Sequence, residues 1–169
     1  MVTVALVFVM KPRVYIETFG CQMNVADSER AATGLRASGY DLCDSADDAD
    51  VVLINTCSVR EKAEQKVYTR IGEIRAAQTG KSPLVGLMGC VAQLEGKAIF
   101  EHTPSVNMVI GTRATDRISS LIERAREGER KVIDLNERGE QDAWDVSPVE
   151  RHSPHVAFIP FIEGCNKFC

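Results

Sequence analysis

The sequence has 169 residues and a mass of 18.6 kDa; at 44% hydrophobic and 26% charged it is ordinary for a globular domain, which excludes a disordered or collagen-like chain. With 20 Lys and Arg against 24 Asp and Glu, the net charge of −4 excludes a general electrostatic attraction to nucleic acid or to an anionic membrane. Only 6% of the residues are aromatic, which argues against a platform for stacking single-stranded bases.

The first ten residues are apolar, but about 18 or more are needed to span a bilayer, and no positive region or cleavage site marks them as a signal peptide. We expect residues 1–12 to be an extension outside the fold. Without an export signal, the expected location is the cytoplasm. Reducing conditions there keep cysteines as thiols or metal ligands rather than disulfides, so the positions of the six cysteines matter.

From Arg13 onward, short strand-like runs alternate with longer helical patterns. The helix at 24–39 has Asn24 or Asp27 as its expected N-cap and ends at Gly39. In chain order the pattern predicts strands at 13–20, 40–43, 51–57, 83–90 and 106–112, and helices at 24–39, 60–79, 91–103 and 114–129. This alternation predicts an α/β fold, with a parallel sheet, helices on both faces and right-handed crossovers.

The composition changes along the chain in a way that predicts domain boundaries. We expect the α/β domain to span residues 13–136. Residues 137–155 are polar and include two prolines, which is typical of an interdomain linker. Residues 156–169 form an apolar run that ends in a cysteine pair, and such a strand has no partner in its own domain. We therefore expect a second domain that begins at 156 and is truncated, and a chain that is a fragment of a longer protein.

Three cysteines follow predicted strands: Cys21, Cys57 and Cys90. The carboxyl ends of parallel strands lie along one edge, where doubly wound sheets bind their ligands. Successive cysteines are separated by roughly one βα unit of ~30 residues, as the fold would require for thiols that meet. Each also precedes a predicted helix, whose N-terminus is expected to lower the pKa of the thiol and to stabilise an anionic group.

Three thiolates suit an iron–sulfur cluster, and a 4Fe–4S cluster would keep one iron open to substrate or exogenous sulfur. Two alternatives stay open: cysteines that are only buried and structural, and a zinc ion held by three thiolates and water. Cys43, after the weak second strand, is interpreted as structural rather than as a fourth ligand. Cys165 and Cys169 are expected to open a C-x3-C-x2-C cluster motif whose third cysteine, at position 172, is not in this sequence.

Four stretches resemble the methylthiotransferases, a radical S-adenosylmethionine family: ETFGCQMNVADSER, INTCSVREKAEQKVY, MGCVAQLEGKAIF and FIEGCNKFC. They occur in the family's order, and the resemblance covers residues 13–169. The residues after Cys21 and Cys57 are most similar to the branch that modifies N6-(dimethylallyl)adenosine in tRNA. The branches that act on threonylcarbamoyladenosine in tRNA or on a ribosomal protein are the alternatives within the family.

The resemblance implies two 4Fe–4S clusters. Cys21, Cys57 and Cys90 would hold an auxiliary cluster that handles sulfur. Cys165 and Cys169, with the third cysteine, would hold a radical-generating cluster that binds S-adenosylmethionine. A deoxyadenosyl radical would then remove the C2 hydrogen of the modified adenosine next to the anticodon, and a methylated sulfur would replace it. Asn24 and Asn55 lie close enough in sequence to the cysteines to donate hydrogen bonds to cluster sulfurs, although capping is the simpler role for Asn24.

The resemblance also implies partners: a tRNA anticodon loop, bound mainly by domains beyond this sequence, and a reductant protein. It implies a monomer with no membrane attachment, and a fragment that is inactive alone. The alternative from another class is a flavodoxin-like domain that binds a metal or a nucleotide without catalysis. The sequence has no G-x-G-x-x-G motif and no P-loop, so phosphate binding lacks its usual support.

Overall fold

The computed structural model describes residues 12–58, 61–77, 82–135, 151 and 153–158. Its strands are β1 (Arg13–Phe19), β2 (Asp41–Leu42), β3 (Val51–Thr56), β4 (Leu84–Gly89), β5 (Met108–Ile110) and β6 (Val132–Asp134). Its α-helices are α1 (Gln22–Ala37), α2 (Glu61–Ala76), α3 (Cys90–Glu95), α4 (Ile99–His102) and α5 (Ile118–Arg126). Short 3-10 turns occupy Ala46–Asp48, Gly96–Ala98 and Thr112–Arg117.

The six strands form one sheet in the order β2-β1-β3-β4-β5-β6, and every neighbouring pair is parallel. The predicted α/β fold with a parallel sheet is confirmed. The chain moves from β1 to one side to form β2 and then to the other side to form β3. The strand order therefore reverses between β1 and β3, and this switch point is where doubly wound sheets bind ligands.

Strand β3 shows why the sheet needs helices on both faces, because alternate side chains enter two separate cores. Val51 and Leu53 pack with residues of α1 and α5, whereas Val52 and Ile54 pack with residues of α2, α3 and α4. All four side chains are fully buried. The apolar run predicted as a strand at 51–57 is thus covered on both faces, with β3 at Val51–Thr56. Together with β1, this strand forms the switch point.

Three local predictions differ from the structure. The helix expected at 91–103 is broken into α3 and α4 at Gly96, whose φ is +53°. The helix expected at 114–129 starts with a 3-10 turn, and its α-helical part ends at Arg126. Strand β6 was not predicted, because a strand of three residues is too short to show a clear alternation of apolar and polar side chains.

Strand β6 is tied to the rest of the domain by an ion pair. Arg117 donates two hydrogen bonds to Asp134, with Nε 2.7 Å from Oδ2 and Nη2 3.1 Å from Oδ1. A bidentate geometry of this kind holds a partly buried carboxylate firmly. The sheet therefore extends to residue 134, within the 13–136 domain expected from the sequence, whose outer boundaries stay a prediction.

Among the described residues, no helix combines the length and apolarity needed to cross a membrane. Cys165, Cys169 and most of the predicted linker and second domain lie outside the described residues.

Candidate functional site

The structure brings three cysteine-bearing strand ends side by side. Cys57 directly follows β3, Cys90 directly follows β4, and Cys21 comes two residues after β1. Because β3 lies between β1 and β4, Cys57 occupies the centre. Thr56 pairs with Phe19 on one side and with Gly89 on the other, so the three strands end at the same level. The three predicted ligand residues therefore share one edge, at the switch point.

The pKa of the Cys90 thiol responds to its burial and to the two other cysteines of this edge. Burial raises the pKa of the Cys90 thiol most, the charge of Cys57 raises it further, and Cys21 acts in the same direction. A hydrogen bond with the backbone of Ser58 partly opposes these effects. The expectation that a helix N-terminus lowers the thiol pKa is wrong for Cys90, because desolvation of the thiolate outweighs it.

The exposure of the thiols differs across the edge. Cys57 is only 3% exposed, whereas Cys21 and Cys90 are half-buried, and none of the three forms a disulfide. Within the described residues, no three His, Cys, Asp or Glu side chains are grouped so that they could hold a metal ion. The thiols thus share an edge without disulfide bonds, with the central one shielded from water.

Helix α1 begins directly after the first thiol. Its N-cap is Cys21, not Asn24 or Asp27 as predicted, and its C-terminal turn ends at Gly39, whose φ is +81°. Asn24 lies in the first turn, and its Oδ1 accepts a hydrogen bond from the Cys21 backbone N–H at 3.2 Å. The same oxygen lies 3.4 Å from Cys21 Sγ, which donates to it. The Asn24 side chain therefore holds the Cys21 loop from the helix side.

Asn24 and Asn55 form a buried amide pair between α1 and β3. Asn24 Nδ2 donates to Asn55 Oδ1 at 2.9 Å and to the Thr56 carbonyl oxygen at 3.2 Å. Asn55 Nδ2 donates to the Asn24 carbonyl oxygen at 2.8 Å and to Ser28 Oγ at 3.0 Å. Both side chains are at most 1% exposed. The N–H groups are used within this network, so the expectation that the two amides donate to cluster sulfurs is wrong.

Two glycines let the backbone approach this amide pair. A Cβ on Gly20 would lie 2.3 Å from Asn24 Oδ1, and one on Gly89 would lie 2.3 Å from Asn55 Oδ1. Gly20 precedes Cys21 and Gly89 precedes Cys90, while Thr56, bonded to Asn24, precedes Cys57. The amide pair thus contacts the residue before each of the three cysteines. In the sequence, this close approach is marked by a Gly-Cys dipeptide at Cys21 and again at Cys90, the cysteines on either side of Cys57.

Replacing Gly89 by Ala is expected to destabilise the domain much more than replacing Gly128. Both glycines have a left-handed backbone, with φ of +92° and +100°, so both variants carry conformational strain. Only Gly89 would also force a Cβ against Asn55, because no heavy atom lies within 4 Å of a Cβ on Gly128. We expect losses in the free energy of unfolding of roughly 3 kcal/mol or more for Gly89→Ala and about 1 kcal/mol for Gly128→Ala, measured by urea denaturation. Equal losses would show that the close contact with Asn55 does not contribute to the fall in the free energy of unfolding.

Cys43 lies away from the three thiols. It follows β2, and its Sγ donates to the Ser45 carbonyl oxygen at 3.4 Å. It lines an open cavity of about 740 Å³ beside α1 and β1, together with Thr18 and Arg36. Because β2 pairs with the start of β1 and lies on the far side of β1 from β3, Cys43 is not part of the three-cysteine edge.

The fold and these contacts define a class of protein: a doubly wound parallel α/β domain that gathers three cysteine thiols at the carboxyl edge, around its switch point. The family described as "Uncharacterized protein family UPF0004" matches residues 13–111, a range that includes all three of these cysteines. The chain belongs to this family.

Curated relatives share the name tRNA-2-methylthio-N(6)-dimethylallyladenosine synthase. The relative from Alkalilimnicola ehrlichii is 43% identical over 161 residues, which are 95% of this chain and 36% of the relative. One from Cereibacter sphaeroides is 45% identical over 160 residues, 93% and 36% of the two chains. One from Stenotrophomonas maltophilia is 42% identical over 162 residues, 95% and 34%. These relatives confirm the predicted resemblance, and the chain spans about a third of their length.

Proposed function

We propose that this chain is the part of a tRNA methylthiotransferase that holds an auxiliary 4Fe–4S cluster, with Cys21, Cys57 and Cys90 as its ligands. The observation that carries the proposal is the meeting of three thiol-bearing strand ends at the switch point of the sheet. The relatives support it, because the chain is 42% to 45% identical to proteins named as synthases of a methylthiolated nucleoside.

The donor chemistry of the three cysteines suits an iron–sulfur cluster, whereas no group within the described residues is arranged to hold a single metal ion. Thiolates are the ligands that such clusters use, and these three come from distant stretches that the fold brings together. Cys21 caps the 16-residue helix α1, whose N-terminus favours a negatively charged group. The hydroxyl of Thr56, beside Cys57, is buried without a hydrogen-bond partner in the described structure and is a free donor. When bound, the cluster would supply an iron without a protein ligand, a position where sulfur can be held.

The residues at this edge would have different roles in holding a cluster. Cys57 is buried and would form the shielded side of the site, whereas the half-buried Cys21 and Cys90 lie on either side of it. The Asn24–Asn55 pair holds the cysteine-bearing loops at a fixed separation. Because these hydrogen bonds form without a cluster, the Cys21 loop and the end of β3 are held together before a cluster binds.

The remaining parts of the proposal concern the longer protein. Cys165 and Cys169, with a third cysteine, would hold the radical-generating cluster and S-adenosylmethionine, in a domain that begins at 156 after a 137–155 linker. The substrate would be N6-(dimethylallyl)adenosine next to the anticodon of a cytoplasmic tRNA. The net charge of −4 supports the view that other parts of the longer protein bind the tRNA. We expect the longer protein to be a monomer that receives electrons from a reductant protein.

The test combines metal binding by this chain with activity of the full-length protein. Anaerobic reconstitution with iron and sulfide should load about four irons per 169-residue chain. The reconstituted full-length protein should convert the target nucleoside in unmodified tRNA to its methylthio form, detected by nucleoside mass spectrometry. The strand order also suits a flavodoxin-like binding domain without catalysis. Stoichiometric zinc with no iron uptake, or nucleotide binding without metal, would favour that alternative and contradict the proposal.

A further inference from the structure

The hydroxyl of Thr56 is buried at the thiol edge without a hydrogen bond. Thr56 is the last residue of β3 and is fully buried. Within the described structure its Oγ1 finds no partner, although its carbonyl oxygen accepts from Asn24 Nδ2 at 3.2 Å. A buried hydroxyl without a partner is costly, and valine would fill the same space without that cost. The metal-free domain therefore offers no structural reason for a hydroxyl at this position.

Thr56 occupies the centre of the three thiol-bearing strand ends. It is followed directly by Cys57 and lies in register between Phe19, two residues before Cys21, and Gly89, one residue before Cys90. Its side chain points to the opposite face from that of Asn55, because side chains alternate along a strand. An anionic group held by the three thiolates would lie at this end of the sheet, beside the last residue of β3.

Neighbouring donors at this edge are already engaged. Both Nδ2 groups of the Asn24–Asn55 pair donate to oxygen atoms of the pair itself, of Thr56 and of Ser28. Ser28 Oγ also lies 2.8 Å from Thr18 Oγ1, so that hydroxyl pair is satisfied. The proton of the Thr56 hydroxyl, in contrast, has no acceptor among these residues.

We propose that the Thr56 hydroxyl donates a hydrogen bond to a sulfur of the cluster held by Cys21, Cys57 and Cys90, and so raises the reduction potential of that cluster. The inference rests on the proposed function, because it requires the cluster. Its physical basis is charge: the reduced cluster is more negative than the oxidised one, so a donor to sulfur stabilises the reduced form more. Thr56 is thereby a tuning residue, whereas the cysteines are the ligands.

The first test uses the metal-free chain of 169 residues and needs no cluster. Thr56→Val removes a hydroxyl without a partner, so the Tm should rise by roughly 3 °C or more. Thr115→Val is the matched control: Thr115 is 4% exposed, but its Oγ1 donates to the Thr112 carbonyl oxygen at 3.1 Å. That variant loses a hydrogen bond, so its Tm should fall. A lower Tm for Thr56→Val would show that the hydroxyl has a partner in the metal-free protein, and would overturn the inference.

The second test measures the reconstituted chain by potentiometric titration. In Thr56→Val the ratio of reduced to oxidised cluster at a fixed potential should fall roughly threefold to tenfold, while Thr56→Ser and Thr115→Val should match the original chain. An unchanged potential in Thr56→Val with a full iron content would overturn the inference and leave the cluster assignment intact. Failure of the original chain to bind iron would overturn both, and the iron analysis alone distinguishes these two results.

Discussion

Replacing Cys57 by Ala is expected to abolish cluster binding by the 169-residue chain, from about four irons to fewer than one. Cys57 is the central and most buried of the three thiols, so its loss leaves two ligands separated by the whole width of β3. Cys21→Ala and Cys90→Ala should have the same effect. The measurement is iron and sulfide content, with the visible absorption spectrum, after anaerobic reconstitution.

Cys43→Ala is the matched control for this prediction, because Cys43 follows a strand and is half-buried, as Cys21 and Cys90 are. It should retain the full iron content. Far-ultraviolet circular dichroism should show that each cysteine variant keeps its fold, since removing one sulfur from this edge costs only about 1 kcal/mol. If iron survives in Cys57→Ala but is lost when both Cys165 and Cys169 are replaced, the iron belongs to the second cysteine group and the auxiliary site is wrong.

The fold and the placement of the three cysteines at one edge were predictable because each rests on a regular rule. An apolar run such as 51–57 is typical of a strand covered on both faces, and alternating strands and helices favour a parallel sheet. Once Cys21, Cys57 and Cys90 are assigned to strand ends, parallel geometry brings them to one edge without knowledge of any side-chain contact. The structure confirms the strands and the shared edge.

The details of the site were not predictable because they depend on contacts between distant residues. Local rules favour Asn as an N-cap, but Asn24 bonds to Asn55, which is 31 positions away, and so α1 begins at Cys21 instead. The direction of the Cys90 pKa shift depends on how deeply the thiol is buried, which no motif encodes. Strand β6 exists because its neighbour β5 supplies a parallel partner, not because its three residues favour a strand alone.

Replacing Asn24 by Ala is expected to loosen the thiol edge even without a cluster. The variant loses the hydrogen bonds to Asn55 Oδ1, the Thr56 carbonyl oxygen and the Cys21 N–H, and it leaves Asn55 Oδ1 buried without that donor. We expect the free energy of unfolding to fall by about 3 kcal/mol, measured by urea denaturation. Because the Cys21 loop loses its tie to β3, alkylation of Cys21 should also accelerate about tenfold, measured by mass spectrometry of the metal-free chain.

Asn107→Ala separates this local loosening from a general loss of stability. Asn107 Oδ1 accepts a hydrogen bond from the Val85 N–H at 2.9 Å, near the start of β4 and therefore at the opposite edge of the sheet. Its replacement should also destabilise the domain, yet the alkylation rate of Cys21 should stay close to that of the original chain. Faster alkylation of Cys21 in both variants would mean that the thiol responds to global opening. In that case the Asn24–Asn55 pair would be a stabilising contact that does not specifically position the cysteines.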